Sequence, residues 1–190
     1  MVILGFIAEG ATEKMILESS DFKDLLNELE INFIPEIINA EGNGNLLPHN
    51  IEKHSQVLLD KGATTIIILT DLDKDVCITQ TKERIQPLVN HIIIVSVKQI
   101  ESWFLADTNA MRSLLKTANF DNANPESHFS PYEEIKKIRK DKVNQGVGSK
   151  LFLAKVMINQ NNFSIKRAAE HPNCTSAKYF IEKLKKITIN

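Results

Sequence analysis

Residues 64–75 read Thr-Thr-Ile-Ile-Ile-Leu-Thr-Asp-Leu-Asp-Lys-Asp, an apolar run that ends in three acidic residues at alternate positions. A β-branched run without polar alternation is typical of a strand buried on both faces of a parallel sheet. Ligands of open α/β proteins bind at the sheet edge where such strands have their carboxyl ends. We therefore expect Asp71, Asp73 and Asp75 to lie at that edge.

Three carboxylates so close together predict a cation site. Neighbouring carboxylates raise each other's pKa unless positive charge lies between them, and hard divalent cations prefer oxygen ligands. The alternative is a solvated acidic turn, because Asp-x-Asp also occurs in ordinary loops. The motif alone leaves both interpretations open.

Apolar runs alternate with helical periodicity over the first 106 residues. Strands are predicted at residues 2–8, 33–40, 64–70 and 91–97, and helices at residues 12–29, 46–60, 78–89 and 99–106. This βαβαβαβ order predicts an α/β fold with a mostly parallel four-stranded sheet, right-handed crossovers and helices on both faces.

A different pattern follows in the last third of the chain. Residues 118–131 are rich in Asn, Asp, Pro and Ser, and predict a loop or linker. Further helices are predicted at residues 132–140, 147–159, 164–170 and 174–187. We expect an α/β domain over residues 1–117, the linker over residues 118–131, and a helical C-terminal subdomain over residues 132–190 packed on the sheet.

Length and composition limit the class of protein. With 190 residues and 43% hydrophobic content, the chain can build one sizeable core. No apolar stretch approaches the roughly 20 residues that span a bilayer, and no signal-peptide pattern precedes the first strand. We expect a cytoplasmic protein with no membrane partner. Cys77 and Cys174 are too few and too far apart to indicate a disulfide framework or a zinc site.

Charge is distributed unevenly along the chain. Residues 1–130 carry 10 Lys and Arg against 19 Asp and Glu, whereas residues 131–190 carry 13 against 5. This asymmetry indicates that basic C-terminal helices bind the phosphate backbone of DNA or RNA. The alternative is that these cations form solvated faces of amphipathic helices. The residues concerned are Lys136, Lys137, Arg139, Lys140, Lys183, Lys185 and Lys186.

Other charged residues follow the predicted strands. The first strand runs into Glu9-Gly-Ala-Thr-Glu13, which places two acids about one helical turn apart. Lys98 and Glu101 follow the fourth strand. Because parallel strands end at one sheet edge, we expect these side chains to lie near Asp71. A helix-capping role for Glu13 is the alternative at that position.

These motifs in this order resemble the Toprim domain. Glu-Gly-x-Thr-Glu after the first strand, with Asp-x-Asp after a later apolar strand, is similar to Toprim domains of topoisomerases, bacterial primases, recombination mediators and overcoming-lysogenization-defect (OLD) nucleases. The chain also resembles small stand-alone bacterial Toprim-like proteins of unknown function. Those proteins carry a Glu-x-Trp-Phe-Leu-Ala-Asp segment, matched here by residues 101–107. The likeness covers residues 1–107 and implies a Toprim-like, Rossmann-like fold.

The resemblance also implies a role for each matching acid. It makes Glu9 a metal ligand or general acid/base and Glu13 a further ligand. Asp71 and Asp73 would hold Mg²⁺ or Mn²⁺, and Asp75 fits a third acid that Toprim motifs often include.

Three more charged residues are assigned from position. Glu101 completes the acidic edge as a further candidate metal ligand. A cation is also needed near a phosphoryl transition state, and Lys98 and Lys150 are the candidate catalytic residues. Lys150 follows Gly146-Val-Gly148 at a predicted helix start, where backbone donors favour phosphate. Ordinary solvation is the alternative for both lysines.

The leading hypothesis is metal-dependent phosphodiester hydrolysis or phosphoryl transfer on nucleic acid, in the manner of a Toprim nuclease and bacterial defence effector. No Gly-x-x-x-x-Gly-Lys-Ser/Thr loop is present, so an ATPase would be a separate partner protein. No Tyr occurs within residues 1–117, which argues against topoisomerase chemistry. The alternatives are a receiver-like signalling module phosphorylated on Asp71, and a catalytically silent Toprim scaffold that binds nucleic acid or a partner protein.

Trp103 and Phe104 have two possible roles. They could stack on a nucleobase, but core packing is the better interpretation of aromatic residues directly after a buried strand.

Overall fold

The acid-tipped run forms β3 (Thr65–Asp71), an inner strand of a four-stranded sheet in a computed structural model that describes residues 2–187. The other strands are β1 (Ile3–Ala8), β2 (Asn32–Asn39) and β4 (His91–Ser96). The sheet order is β2-β1-β3-β4, and all neighbouring strands are parallel. The predicted α/β fold class is therefore confirmed.

Helices cover both faces of the sheet. They are α1 (Ala11–Glu18), α2 (Ser20–Glu28), α3 (Pro48–Asp60), α4 (Ile78–Ile85), α5 (Glu101–Ala106), α6 (Thr108–Leu115), α7 (Pro131–Val143), α8 (Lys150–Asn159), α9 (Ile165–Glu170) and α10 (Thr175–Ile187). Short 3₁₀ turns occupy Asn43–Leu46 and Pro125–Ser127. Within residues 2–187, no helix combines the length and apolar character needed to traverse a lipid bilayer.

Alternation along β3 separates the two sides of the core. Ile66 and Ile68 pack with α3 and α4, whereas Ile67 and Leu69 pack with the remaining helices. From Ile66 onward the side chains on both faces of β3 are buried, which explains why polar and apolar residues do not alternate in this strand. Gly5 of β1 lets α3 approach closely, because a Cβ there would lie only 3.0 Å from the Leu58 Cβ.

Some helix boundaries differ from the sequence predictions. The helix predicted over residues 12–29 is two helices, because Ser19 is extended (φ −62°, ψ 152°). Its hydroxyl donates to the Ile16 carbonyl at 2.7 Å and accepts from the Phe22 N–H at 3.2 Å. The helix predicted over residues 78–89 ends at Ile85, since Gln86 takes a left-handed conformation (φ 51°).

Helix α6 was not predicted from the sequence. Asp107 caps it by accepting a hydrogen bond from the Ala110 N–H at 3.1 Å. The same carboxylate pairs with Arg167 of α9 through Nη2 at 2.8 Å. Asp107 is fully buried, so the last residue of the Glu-x-Trp-Phe-Leu-Ala-Asp segment joins α5, α6 and α9.

The β2 edge of the sheet is irregular. Leu4 of β1 aligns with Phe33, but Phe6 aligns with Ile37, so β2 bulges between these pairs. Pro35 lies within the bulge and has no N–H to donate.

The C-terminal helices share the core of the sheet. Phe180 of α10 stacks on Phe22 and on Trp103, with ring centroids 5.7 and 5.9 Å apart. Trp103 and Phe104 are fully buried, which confirms their interpretation as core residues. The domain boundaries at residues 117 and 131 stay a prediction.

Replacing Phe180 by Ala should lower the free energy of unfolding by about 3–5 kcal/mol, because a fully buried ring is removed. Since this ring contacts the sole tryptophan, circular dichroism and Trp103 fluorescence should report one coincident, earlier transition. Phe129→Ala is the matched control, because that ring is 77% exposed, and its cost should stay within about 0.5 kcal/mol. Two separate transitions in the wild-type protein would contradict a shared core.

Candidate active site

Glu9 joins the ends of the two inner strands. Its N–H donates to the Leu69 carbonyl at 2.9 Å, which continues the pairing of β1 with β3. Its carboxylate Oε2 accepts hydrogen bonds from the Thr70 hydroxyl and from the Asp71 N–H, the latter at 3.1 Å. Burial raises the pKa of Glu9, and these hydrogen bonds oppose that rise.

Asp71 is the last residue of β3 and is 8% exposed. It lies opposite Ser96 of β4, whose hydroxyl donates to Asp71 Oδ1. The same oxygen accepts from the Ile100 N–H at 2.8 Å, just before α5 begins. These two donors fix the carboxylate of Asp71 between β4 and α5.

Glu13 lies in the first turn of α1 and is 5% exposed. Its carboxylate lies over Gly10, where a Cβ would be 3.0 Å from Glu13 Oε2. Burial, together with the charges of Glu9 and Glu101, raises the pKa of Glu13 to about 7. The glycine of the Glu-Gly-x-Thr-Glu motif therefore leaves room for the second glutamate.

Glu101 begins α5 and is 1% exposed. The Lys150 Nζ at the start of α8 lies 3.6 Å from Glu101 Oε2, an ion-pair distance rather than a hydrogen bond. This buried oxygen accepts no hydrogen bond from the part of the chain that the structure describes. Burial raises the pKa of Glu101, and Lys150 opposes that rise.

Lys150 is placed by the loop before α8. The Tyr132 hydroxyl donates to the Gly148 carbonyl, and the Tyr132 ring centroid lies 6.0 Å from Lys150 Nζ. Ser149 caps α8 by accepting from the Phe152 N–H at 3.2 Å. Lys150 thus joins the acidic edge from a segment about 50 residues beyond Glu101.

Glu9, Glu13, Asp71 and Glu101 together form what we call the acidic cluster. Burial and then the charges of Glu13, Glu101 and Glu9 raise the pKa of Asp71 well above its usual range. Such crowding, with a buried Glu101 oxygen that accepts no hydrogen bond from any described residue, fits the oxygen-donor set of a hard divalent cation. In residues 2–187, however, no three acidic, His or Cys side chains already surround a point that an ion could occupy. The ligand roles stay predictions.

Asp73 lies beside the cluster in the turn after β3. Its backbone is left-handed (φ 47°), and its N–H donates to the Lys98 carbonyl at 2.8 Å. Asp73 Oδ1 accepts from the Gln99 Nε2 at 2.9 Å. The charge of Asp73 contributes to the raised pKa of both Glu9 and Glu101. Lys98 therefore contacts this turn through its backbone carbonyl, whereas Lys150 contacts Glu101 of the acidic cluster through its ammonium group.

Asp75 belongs to a different set of contacts. Its Oδ2 accepts from the Thr81 hydroxyl at 2.9 Å and pairs with Arg84 Nη2 at 3.2 Å, both on α4. Asp73 and Asp75 border a cavity of about 400 Å³. The other lining residues are Asn43, Lys74, Arg84, Gln99, Phe129 and Ser130.

Sequence reasoning missed the buried hydroxyls that hold the acids. Thr70 and Ser96 are fully buried and donate to Glu9 and Asp71 respectively. Each follows four consecutive apolar residues near the carboxyl end of its strand. That pattern was the available signal, because a buried hydroxyl needs a hydrogen-bond partner.

The fold and site together define an α/β protein with a buried acidic cluster at the carboxyl edge of a parallel sheet. No protein-family model matches the sequence, and no curated protein matches it. The structure is similar to the C-terminal region of the Burkholderia pseudomallei OLD protein, with 14% identity, 98% of each chain covered and a TM-score of 0.40. A likeness at this level carries no argument about activity, so we base function on this chain's own residues.

The acidic cluster predicts a pH-dependent stability in metal-free buffer. The folded-state pKa of Glu13, about 7, exceeds its ordinary value of 4.5, so its stabilising contribution is complete below pH 4.5 and is lost as pH rises through 7. The free energy of unfolding in urea with EDTA should therefore fall between pH 5 and pH 8. Glu13→Gln should reduce that fall, because it removes the buried charge.

Glu18→Gln is the matched control, since Glu18 is exposed on the same helix. It should keep the wild-type dependence on pH. If the free energy of unfolding depended on pH in the same way in wild type and in Glu13→Gln, the raised pKa of Glu13 would be contradicted.

Proposed function

We propose that this chain is a Toprim-type, metal-dependent enzyme that hydrolyses phosphodiester bonds of nucleic acid. The observation that carries the proposal is the cluster of Glu9, Glu13, Asp71 and Glu101 at one sheet edge, in which Glu9 is half-buried and the other three are buried. Four raised carboxyl pKa values mark a site that disfavours its own negative charge. Carboxyl groups whose pKa is raised by burial and by neighbouring charge are common at functional sites.

The metal ligands in this proposal are Glu9, Glu13, Asp71 and Asp73, with Glu101 completing the set. A bound Mg²⁺ or Mn²⁺ would polarise a phosphoryl oxygen and lower the pKa of a water molecule. Asp75 is the weakest candidate, because Arg84 and Thr81 already occupy its carboxylate.

The chain's own groups provide positioning and charge. The Thr70 hydroxyl and the Asp71 N–H both donate to Glu9 Oε2 and so fix the orientation of this carboxylate. Its proposed role is that of a metal ligand or general acid/base. Lys150 is the better candidate for a catalytic cation, since it already lies 3.6 Å from Glu101 Oε2. If a metal ion binds the Glu101 carboxylate, the Lys150 ammonium group can neutralise negative charge on a phosphate instead.

Nucleic acid is the proposed substrate on the basis of charge. Helices α7 and α10 carry exposed lysines, among them Lys136, Lys137 and Lys140. Phosphate contacts of this kind are electrostatic and independent of base sequence. A role in bacterial defence and a separate ATPase partner are implied only by the family resemblance and stay predictions.

The proposal predicts cleavage of labelled DNA or RNA that requires Mg²⁺ or Mn²⁺ and stops in EDTA. Glu9→Gln and Asp71→Asn should each slow cleavage by about 100-fold or more, because each removes the charge of a proposed metal ligand. Single-stranded DNA, duplex DNA and RNA should be compared in one gel assay.

Glu52→Gln and Asp24→Asn are the matched controls, because both acids are exposed on helices α3 and α2. They should cleave at the wild-type rate. Undiminished cleavage by Glu9→Gln and Asp71→Asn would show that another site is responsible.

A silent scaffold is the second candidate function. It is favoured by the absence, across residues 2–187, of three potential ligands already arranged around one point. Calorimetric binding of Mn²⁺ without turnover of any polynucleotide would support it. The receiver alternative has less support, because Asp71 is only 8% exposed and both Ser96 and Ile100 donate to Oδ1.

A further inference from the structure

The cavity beside the acidic cluster contains an exposed aromatic ring. Phe129 is 77% exposed and lines this space of about 400 Å³ together with Asp73 and Gln99. That volume is within the range of small-ligand sites, about 300–1,000 Å³. Burial of this ring against a bound molecule would be favourable.

The backbone on both sides holds Phe129 in place. Three residues earlier, the Glu126 carboxylate accepts from the Thr175 N–H at 3.0 Å and hydroxyl at 2.7 Å, and from the Ser176 N–H at 2.8 Å. Two residues later, Pro131 begins α7. Phe129 is therefore presented from two anchored points and not from a free loop.

The rest of the cavity is polar and carries both signs of charge. Lys74 and Arg84 provide cations, Asp73 and Asp75 provide anions, and further polar groups come from Asn43, Gln99 and Ser130. The Gln99 amide donates to Asp73, which leaves its Oε1 buried without a donor in the described chain. One flat apolar surface surrounded by hydrogen-bonding groups matches a nucleobase, which has an apolar face and a polar edge.

We propose that this cavity binds an unpaired nucleobase of a single-stranded nucleic acid, with the base stacked on Phe129. The inference rests on the proposed function for its substrate class. Asp73 lies both in the cavity and next to the acidic cluster, so a bound base would place its own backbone phosphate near the acids. A base within a duplex would first have to leave its stack, which costs a few kcal/mol.

The test compares a labelled single strand of thymidines with an abasic strand of equal length and equal phosphate number. Binding is measured by fluorescence anisotropy in Ca²⁺ and again in EDTA, and cleavage is measured separately in Mn²⁺. Wild-type protein should bind the strand with bases about 10-fold more tightly than the abasic strand. Phe129→Ala should abolish this ratio, whereas Phe129→Trp should retain it.

Phe152→Ala is the matched control, because that ring is 53% exposed and lies outside the cavity. It should keep the wild-type ratio. Equal ratios for wild type and Phe129→Ala would overturn the base site, as would wild-type protein that binds neither strand. A dimer that Phe129→Ala converts to a monomer, without base dependence, would assign the ring to a protein contact and also overturn it.

The two proposals can fail separately. A base-dependent ratio without cleavage under any metal would remove the hydrolase and keep the base site. Cleavage with an unchanged ratio in Phe129→Ala would remove the base site and keep the hydrolase.

Discussion

The hydrogen bonds of the Glu9 carboxylate to the Thr70 hydroxyl and the Asp71 N–H link the ends of the two inner strands. An acid in this position loses much of its hydration. Fixed hydrogen-bond donors replace part of the lost water and so lower the free-energy cost of burying the carboxylate. Two further acids of the cluster lie close to Glu9 and Thr70 in the sequence. Asp71 follows directly in β3, and Glu13 follows one turn into α1. The parallel sheet thus concentrates charge at one edge by geometry alone.

Much of this arrangement could be predicted from the sequence, because parallel strands deliver their following residues to a common edge. That rule grouped Glu9, Glu13, Asp71 and Glu101, but it also assigned Asp75 and Lys98 to the same site. The partner of Asp75 could not be predicted, since its pairing with Arg84 depends on the rotation and length of α4. Contacts of that kind depend on tertiary packing that local periodicity does not encode.

The contacts of the C-terminal helices could not be predicted from the sequence either. Their existence was predicted, but not that Lys150 would reach Glu101 or that Phe180 would stack between Phe22 and Trp103. Helices α5 to α10 complete the core on the face where α1 and α2 pack. Helix α8 also brings Lys150 to the acidic edge, and the segment before α7 carries the exposed Phe129. Removing these helices would therefore change the chemistry of the edge as well as any surface for nucleic acid.

The bulge at Pro35 has a consequence for how the protein meets other molecules. An edge strand with a missing donor and a broken register is a poor template for a further strand. At the opposite end of the sheet, the Val97 N–H after β4 is directed to the Ser176 hydroxyl of α10, at 3.4 Å. These features disfavour backbone hydrogen bonding between the sheets of two copies of the chain. An association at the β2 edge would then have to use side chains, which can be altered one at a time without disturbing the sheet.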